Sequence, residues 1–134
     1  MMLALSVPVE AHEKRIPPSE IPAPIHNYIK AHFANQSIIK AEVEQSFLSK
    51  KYKIKLNSLT KLTFNGKLEI IKLDSKSALP ESVLPPELYA YAKANYPNNA
   101  ITEWKLKSGY QEIELDNGLE IEFTLTGEFL RIDT

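Results

Sequence analysis

Glu112, Glu114, Glu120 and Glu122 flank an Asn117-Gly118 turn, so one hairpin carries four carboxyls. Two neighbouring carboxyls can share acid and base work in hydrolysis, provided burial lifts the pKa of one. Regular alternation with Ile113, Leu115, Ile121 and Phe123 points all four outward, which predicts a solvated sheet face rather than an acid–base pair. The histidines offer less. His26 and His32 stand six apart on a predicted helix and fall on different faces, whereas metal ligands sharing a face need three or four. That spacing predicts no metal site, with His32 at the core edge and His26 in solvent. The serines lie in turns and linkers without a Gly-x-Ser-x-Gly elbow, and the four glycines belong to hairpin-turn signals, leaving no phosphate-binding loop. No cysteine is present, which excludes thiol catalysis and disulfides. These residues imply no cofactor and no enzymatic activity.

The elements that hold these residues repeat. NYIKAHFANQSI (27–38) and AYAKANYPNNAI (90–101) match at an offset of 63 residues, and the match runs from Ile21-Pro22 over Leu84-Pro85 to Val43 over Leu106. Each unit reads as a proline-initiated helix followed by four strands. Ile25, Tyr28, Ile29, His32 and Phe33 share one helical face, as do Leu88, Tyr91, Ala92, Asn95 and Tyr96. Tyr28 and Tyr91 are expected as core anchors. Period-two alternation follows: Ile39, Ala41 and Val43 inward against Lys40, Glu42 and Glu44, then Thr102, Trp104 and Leu106 against Glu103, Lys105 and Lys107. Further strands carry Tyr52, Ile54 and Leu56; Leu62 and Phe64; and 68–73 and 129–132 as the last of each unit. Asn65-Gly66 and Asn117-Gly118 predict two-residue type I′ turns. The fold class is therefore α+β: two tandem α-β-β-β-β repeats forming an antiparallel sheet with helices on one face. Residues 17–134 form a single domain of two repeats, about 21–74 and 84–134, joined by a linker at 75–83. Residues 1–16 form an N-terminal segment.

A chain of 134 residues with 43% hydrophobic and 25% charged residues describes one ordinary globular domain. A net charge of −1 gives no basic surface for nucleic acid, and no apolar run is long enough to span a bilayer. The halves nevertheless differ in sign. Residues 21–74 hold nine basic and four acidic residues, and 84–134 hold four and nine. Lys51, Lys53, Lys55 and Lys61 thus face one way in the first unit, and the four glutamates do so in the second. This split is read either as pairing within one sheet or as a dipolar surface for a partner or for weak self-association. Trp104 shares its face with Leu106 and is expected in the core, whereas Tyr110 alternates outward with Glu112 and Glu114. Lys53, Lys55, Tyr110, Glu112 and Glu114 are the candidate partner-binding residues.

The Leu/Ile-Pro entry, the Tyr-x-Lys-Ala helix, and the segment Leu119–Phe123 leading to Thr126-Gly127 resemble the PepSY-like family of secreted Bacteroidetes-type proteins. That resemblance implies an architecture like β-lactamase inhibitor protein. It also implies a periplasmic or secreted location and a non-enzymatic role binding an unidentified protein or peptide; the alternative is a self-associating structural protein of the cell envelope. It favours reading MMLALSVPVEA as a signal remnant. The sequence departs from aromatic-faced inhibitors of similar fold, because its outward strand positions are mainly Lys, Glu and Thr.

Overall fold

Proline entry and a 3.6-residue stripe produce two ten-residue helices. A computed structural model describes residues 12–133, so the signal-like reading of residues 1–11 lies outside them. Helix α1 (Ala23–His32) starts after Pro22 and buries Ile25 and Ile29. Helix α2 (Pro86–Asn95) starts after Pro85 and buries Leu88 and Ala92. A short 3-10 turn precedes each, at Pro18–Glu20 and Glu81–Val83, so the repeat extends to the approach.

The strands are β1 (His12–Arg15), β2 (Ile38–Gln45), β3 (Lys50–Leu56), β4 (Lys61–Asn65), β5 (Ile70–Asp74), β6 (Ile101–Leu106), β7 (Gln111–Leu115), β8 (Glu120–Phe123) and β9 (Phe129–Asp133). They form one antiparallel sheet in sequence order. The element order α-β-β-β-β occurs twice, and β5 pairs with β6 to make the sheet continuous across the units. The polar lead-in is extended only at residues 12–15, which pair with β2, and it turns at Pro18–Glu20.

The core joins helix and strand residues of both units in one cluster. Tyr28 meets Phe64 edge-on with centroids 5.4 Å apart, and Tyr91 meets Phe123 the same way at 5.3 Å. Each contact contributes about 0.5–1.5 kcal/mol beyond area burial. At the seam Leu73 faces Trp104, which is buried as expected, and Trp104 Nε1 donates to Gln111 Oε1 at 3.0 Å. Gln111 Nε2 in turn donates to the Thr124 carbonyl at 2.9 Å.

Three expectations need correction. Ile39 does not point inward: a bulge between Ile38 and Lys40 turns Ile38 towards the core and leaves Ile39 exposed. Leu106, at the end of β6, is exposed rather than sharing the buried face of Trp104. The Asn-Gly turns are three-residue loops, in which the last residue takes the left-handed conformation. In the second unit that residue is Gly118 (φ 87°), but in the first it is Leu68 (φ 66°), not Gly66. Strand β5 consequently begins at Ile70, two residues later than the alternation suggests.

Candidate functional site

Alternation and hairpin register together line up charged side chains across the sheet on the face away from the core. One row runs through registered neighbours Arg15, Glu42, Lys53, Thr63, Lys72, Lys105, Glu112, Glu122 and Arg131, crossing all nine strands. A second row runs Lys40, Lys55, Lys61, Asp74, Glu103, Glu114, Glu120 and Asp133. Three lysines are thus followed by five carboxylates, and the sign changes at β5, beside the seam.

The first row is largely compensated within the chain. Lys53 Nζ lies 2.8 Å from Glu44 and 3.3 Å from Glu13, and its hydrogen bond holds the Glu44 carboxyl below the usual range. Lys105 reaches Glu103 and Glu112, each at 3.8 Å, and Arg131 Nη2 lies 2.7 Å from Glu122 Oε1. The Arg131 approach is a close ion pair without hydrogen-bond alignment. The second row is different. Among the described residues, no opposite charge lies within 4.0 Å of Lys55, Lys61, Asp74, Glu114, Glu120 or Asp133. Burial first, and then the adjoining Glu114 carboxyl, push the Glu103 pKa up.

Of the residues singled out from sequence, Lys53 and Glu112 fall in the first row, and Lys55 and Glu114 in the second. In each row the pair is four inter-strand gaps apart, roughly 19 Å. Tyr110 lies in neither row; it is half-buried beside the β6–β7 turn, where its carbonyl accepts from Lys107 N at 2.8 Å. The solvated character expected for the glutamates fails at two positions. Glu112 is 6% exposed and Glu122 5%, because Lys105 and Arg131 lie against them from neighbouring strands. Burial, followed by the charges of Glu120 and Glu122, raises the Glu112 pKa. His32 lies half-buried against the Tyr28 ring, with Nδ1 2.9 Å from Ser82 Oγ, and His26 is exposed, as the helical faces suggest. Asp74 and Asp133 escaped the reading from sequence, since each sits at a strand terminus where alternation gives out; hairpin register would have placed both.

A recess of about 340 Å³ opens on the basic side of this face, bordered by Glu13, Lys40, Lys53, Lys55, Lys61 and Asp74. Its lining suits charged groups rather than an apolar ligand. At the other side, carboxylate oxygens of Glu112, Glu122 and Asp133 lie within 4.8 Å of one another.

A doubled helix-plus-four-strand frame with a charge-divided sheet face defines the class: an α+β protein of repeated architecture, with no helix of the described residues long and apolar enough to cross a membrane. A family model described as "Putative beta-lactamase-inhibitor-like, PepSY-like" matches residues 7–72 and again 73–131. The chain belongs to this family. A "putative calcium-regulated periplasmic protein" from Bacteroides thetaiotaomicron is 26% identical, with TM-score 0.86 over 91% of this chain and 97% of that one. A "putative periplasmic protein" from Bacteroides vulgatus is 28% identical, with TM-score 0.85 over 91% and 97%. A second B. vulgatus protein, "of unknown function", is 25% identical, with TM-score 0.85 over 92% and 100%. No curated protein matches the sequence. Like these relatives, the chain is periplasmic or secreted.

Proposed function

We propose that the chain is a non-enzymatic binding module whose charged sheet face engages an extended protein or peptide segment. The observation that carries this reading is the second row, where lysines give way to carboxylates and six of eight charges have no opposite charge within 4.0 Å among the described residues. Seven inter-strand gaps span roughly 34 Å, the reach of about ten extended residues. Such a segment would present acidic groups to Lys55 and Lys61 and basic groups to Glu114 and Glu120. Unpaired charges of this kind set orientation and encounter rate more than affinity. Inhibition of a β-lactamase is not part of the reading, since Lys, Glu and Thr occupy the face.

The test is calorimetric titration with a decapeptide carrying an acidic block followed by a basic block. Lys55→Glu and Glu114→Lys should each weaken binding several-fold, and both together should prefer the peptide of opposite block order. Equal affinity of parent and variants for both peptides would remove the face from the proposal.

The calcium regulation ascribed to the B. thetaiotaomicron relative does not fit the acidic group here. Glu112, Glu122 and Asp133 offer three carboxylates, and the Arg131 guanidinium already stands 2.7 Å from Glu122.

A further inference from the structure

The second charge row stops one strand short of the sheet edge, and the cause is proline. Ile16 N still donates to the Ala41 carbonyl at 2.9 Å, so the next position of the β1 register, beside Lys40, falls to Pro17. Pro17 and Pro18 carry no N–H and cannot continue the ladder. The second unit has donors at this place. Past the Asp74–Glu103 pair, Ser75 N donates to the Thr102 carbonyl at 2.8 Å and Leu79 N to the Ile101 carbonyl at 2.9 Å, which covers the bulge of β6. At the matching bulge of β2, among the described residues, no backbone N–H from the approach to α1 reaches the Ile38 or Ile39 carbonyl. Ile39 itself is 52% exposed, where the second unit has a half-buried Thr102. This open edge borders an apolar groove of about 500 Å³, formed chiefly by Ile16, Pro17, Pro18 and Ile39, with Arg15 and Lys40 as its charged lining. Among the described residues, no opposite charge lies within 4.0 Å of Arg15.

We infer that the segment bound by the charged face carries an apolar residue next to its acidic block, and that this anchor seats in the Ile39 groove with its N–H on the Ile39 carbonyl. The anchor rests on the charged-face reading and names what that segment must carry at one end. Lys40 both heads the second row and lines the groove, so a chain lying along the row runs directly into it. Arg15 and Lys40 are both cations, so the groove accepts an apolar group flanked by carboxylates and rejects one flanked by lysine or arginine. The uncovered carbonyls require a backbone donor, which an extended peptide supplies and a lipid tail does not. Groove and Lys40 are one inter-strand gap apart, roughly 5 Å, so the anchor lies one or two residues beyond the acidic block. Affinity then comes from the seated apolar side chain, while the charges along the row set orientation.

Calorimetric titration of the full chain with two extended peptides tests it. Both contain the acidic-then-basic decapeptide; one adds Leu-Gly at the acidic end and the other Gly-Gly. The leucyl peptide should bind about fivefold tighter, the gain expected for half-burying one leucine side chain. Placing the leucine at the basic end instead should add nothing. Ile39→Ser should remove the gain, leave the glycyl peptide's affinity unchanged and keep the parent's circular dichroism. In the parent, the Ile39 methyl resonances should shift with the leucyl peptide and not with the glycyl one. Equal affinity for the two peptides, a gain that survives Ile39→Ser or follows leucine to the basic end, or unshifted Ile39 methyls would overturn the anchor and leave the charged face standing. Binding of neither peptide would overturn both.

Discussion

Trp104 offers the most demanding test of how the two units are joined. It faces Leu73 across the β5–β6 seam, and its indole bonds Gln111, whose side-chain amide bonds the Thr124 carbonyl. Trp104→Ala removes a buried aromatic, at about 3–5 kcal/mol. It also leaves the Gln111 oxygen, in a residue only 4% exposed, without its donor, which adds about 1–3 kcal/mol. The sum, about 4–8 kcal/mol, approaches the whole stability of a domain, roughly 5–15 kcal/mol. Trp104→Phe keeps most of the packing and loses the hydrogen bond, so about 1–3 kcal/mol is expected. Urea unfolding followed by far-ultraviolet circular dichroism measures both, since the substitution removes the only tryptophan fluorophore. A Phe variant matching the parent would show that the Trp–Gln–Thr chain contributes nothing. An Ala variant losing less than about 2 kcal/mol would refute the seam as a packed core.

Glu112→Gln should raise stability at neutral pH. Burial favours the protonated Glu112 side chain in the fold, so its contribution is fully present below the unfolded glutamate value of about 4.3 and is lost as pH rises through the raised folded value. Urea midpoints across that window should fall less steeply for Gln than for the parent; a variant less stable at pH 7 would contradict this assignment. Gly127→Ala should destabilise by about 1–3 kcal/mol, because φ is 96° and an added Cβ would meet Glu87 Cβ at 2.6 Å. A shift in thermal midpoint too small to resolve would place slack between that turn and α2.

The doubled frame is legible in sequence because periodicity and proline entry are local signals that survive tertiary packing. Ile39, Leu106 and Leu68 defeat the same rules for a shared reason. Each sits where a bulge, a strand end or a loop resets the alternation by one residue, and such resets follow from pairing with a neighbouring strand. The strand at His12–Arg15 is unreadable by pattern, since all four residues are polar and exposed. The charge split between halves is visible from composition, and the outward lysines and glutamates from alternation. Which charges are compensated is not, because Lys53 meets Glu13 from forty residues away, and Arg131 covers Glu122 only through the β8–β9 register. Burial of Glu112 likewise depends on neighbours from other strands.

The sequence-ordered sheet has a kinetic consequence. Six of its eight pairings join strands separated only by a turn, and just two, β1 with β2 and β5 with β6, must wait for a helix to form between them. Local pairings close small loops and form quickly, while the two helix-spanning closures carry most of the entropy of long-range contact. A polypeptide emerging end-first can therefore zip hairpin by hairpin in the order of its synthesis, never holding a strand open for a distant mate. This arrangement shortens the interval in which bare strand edges could find the wrong neighbour.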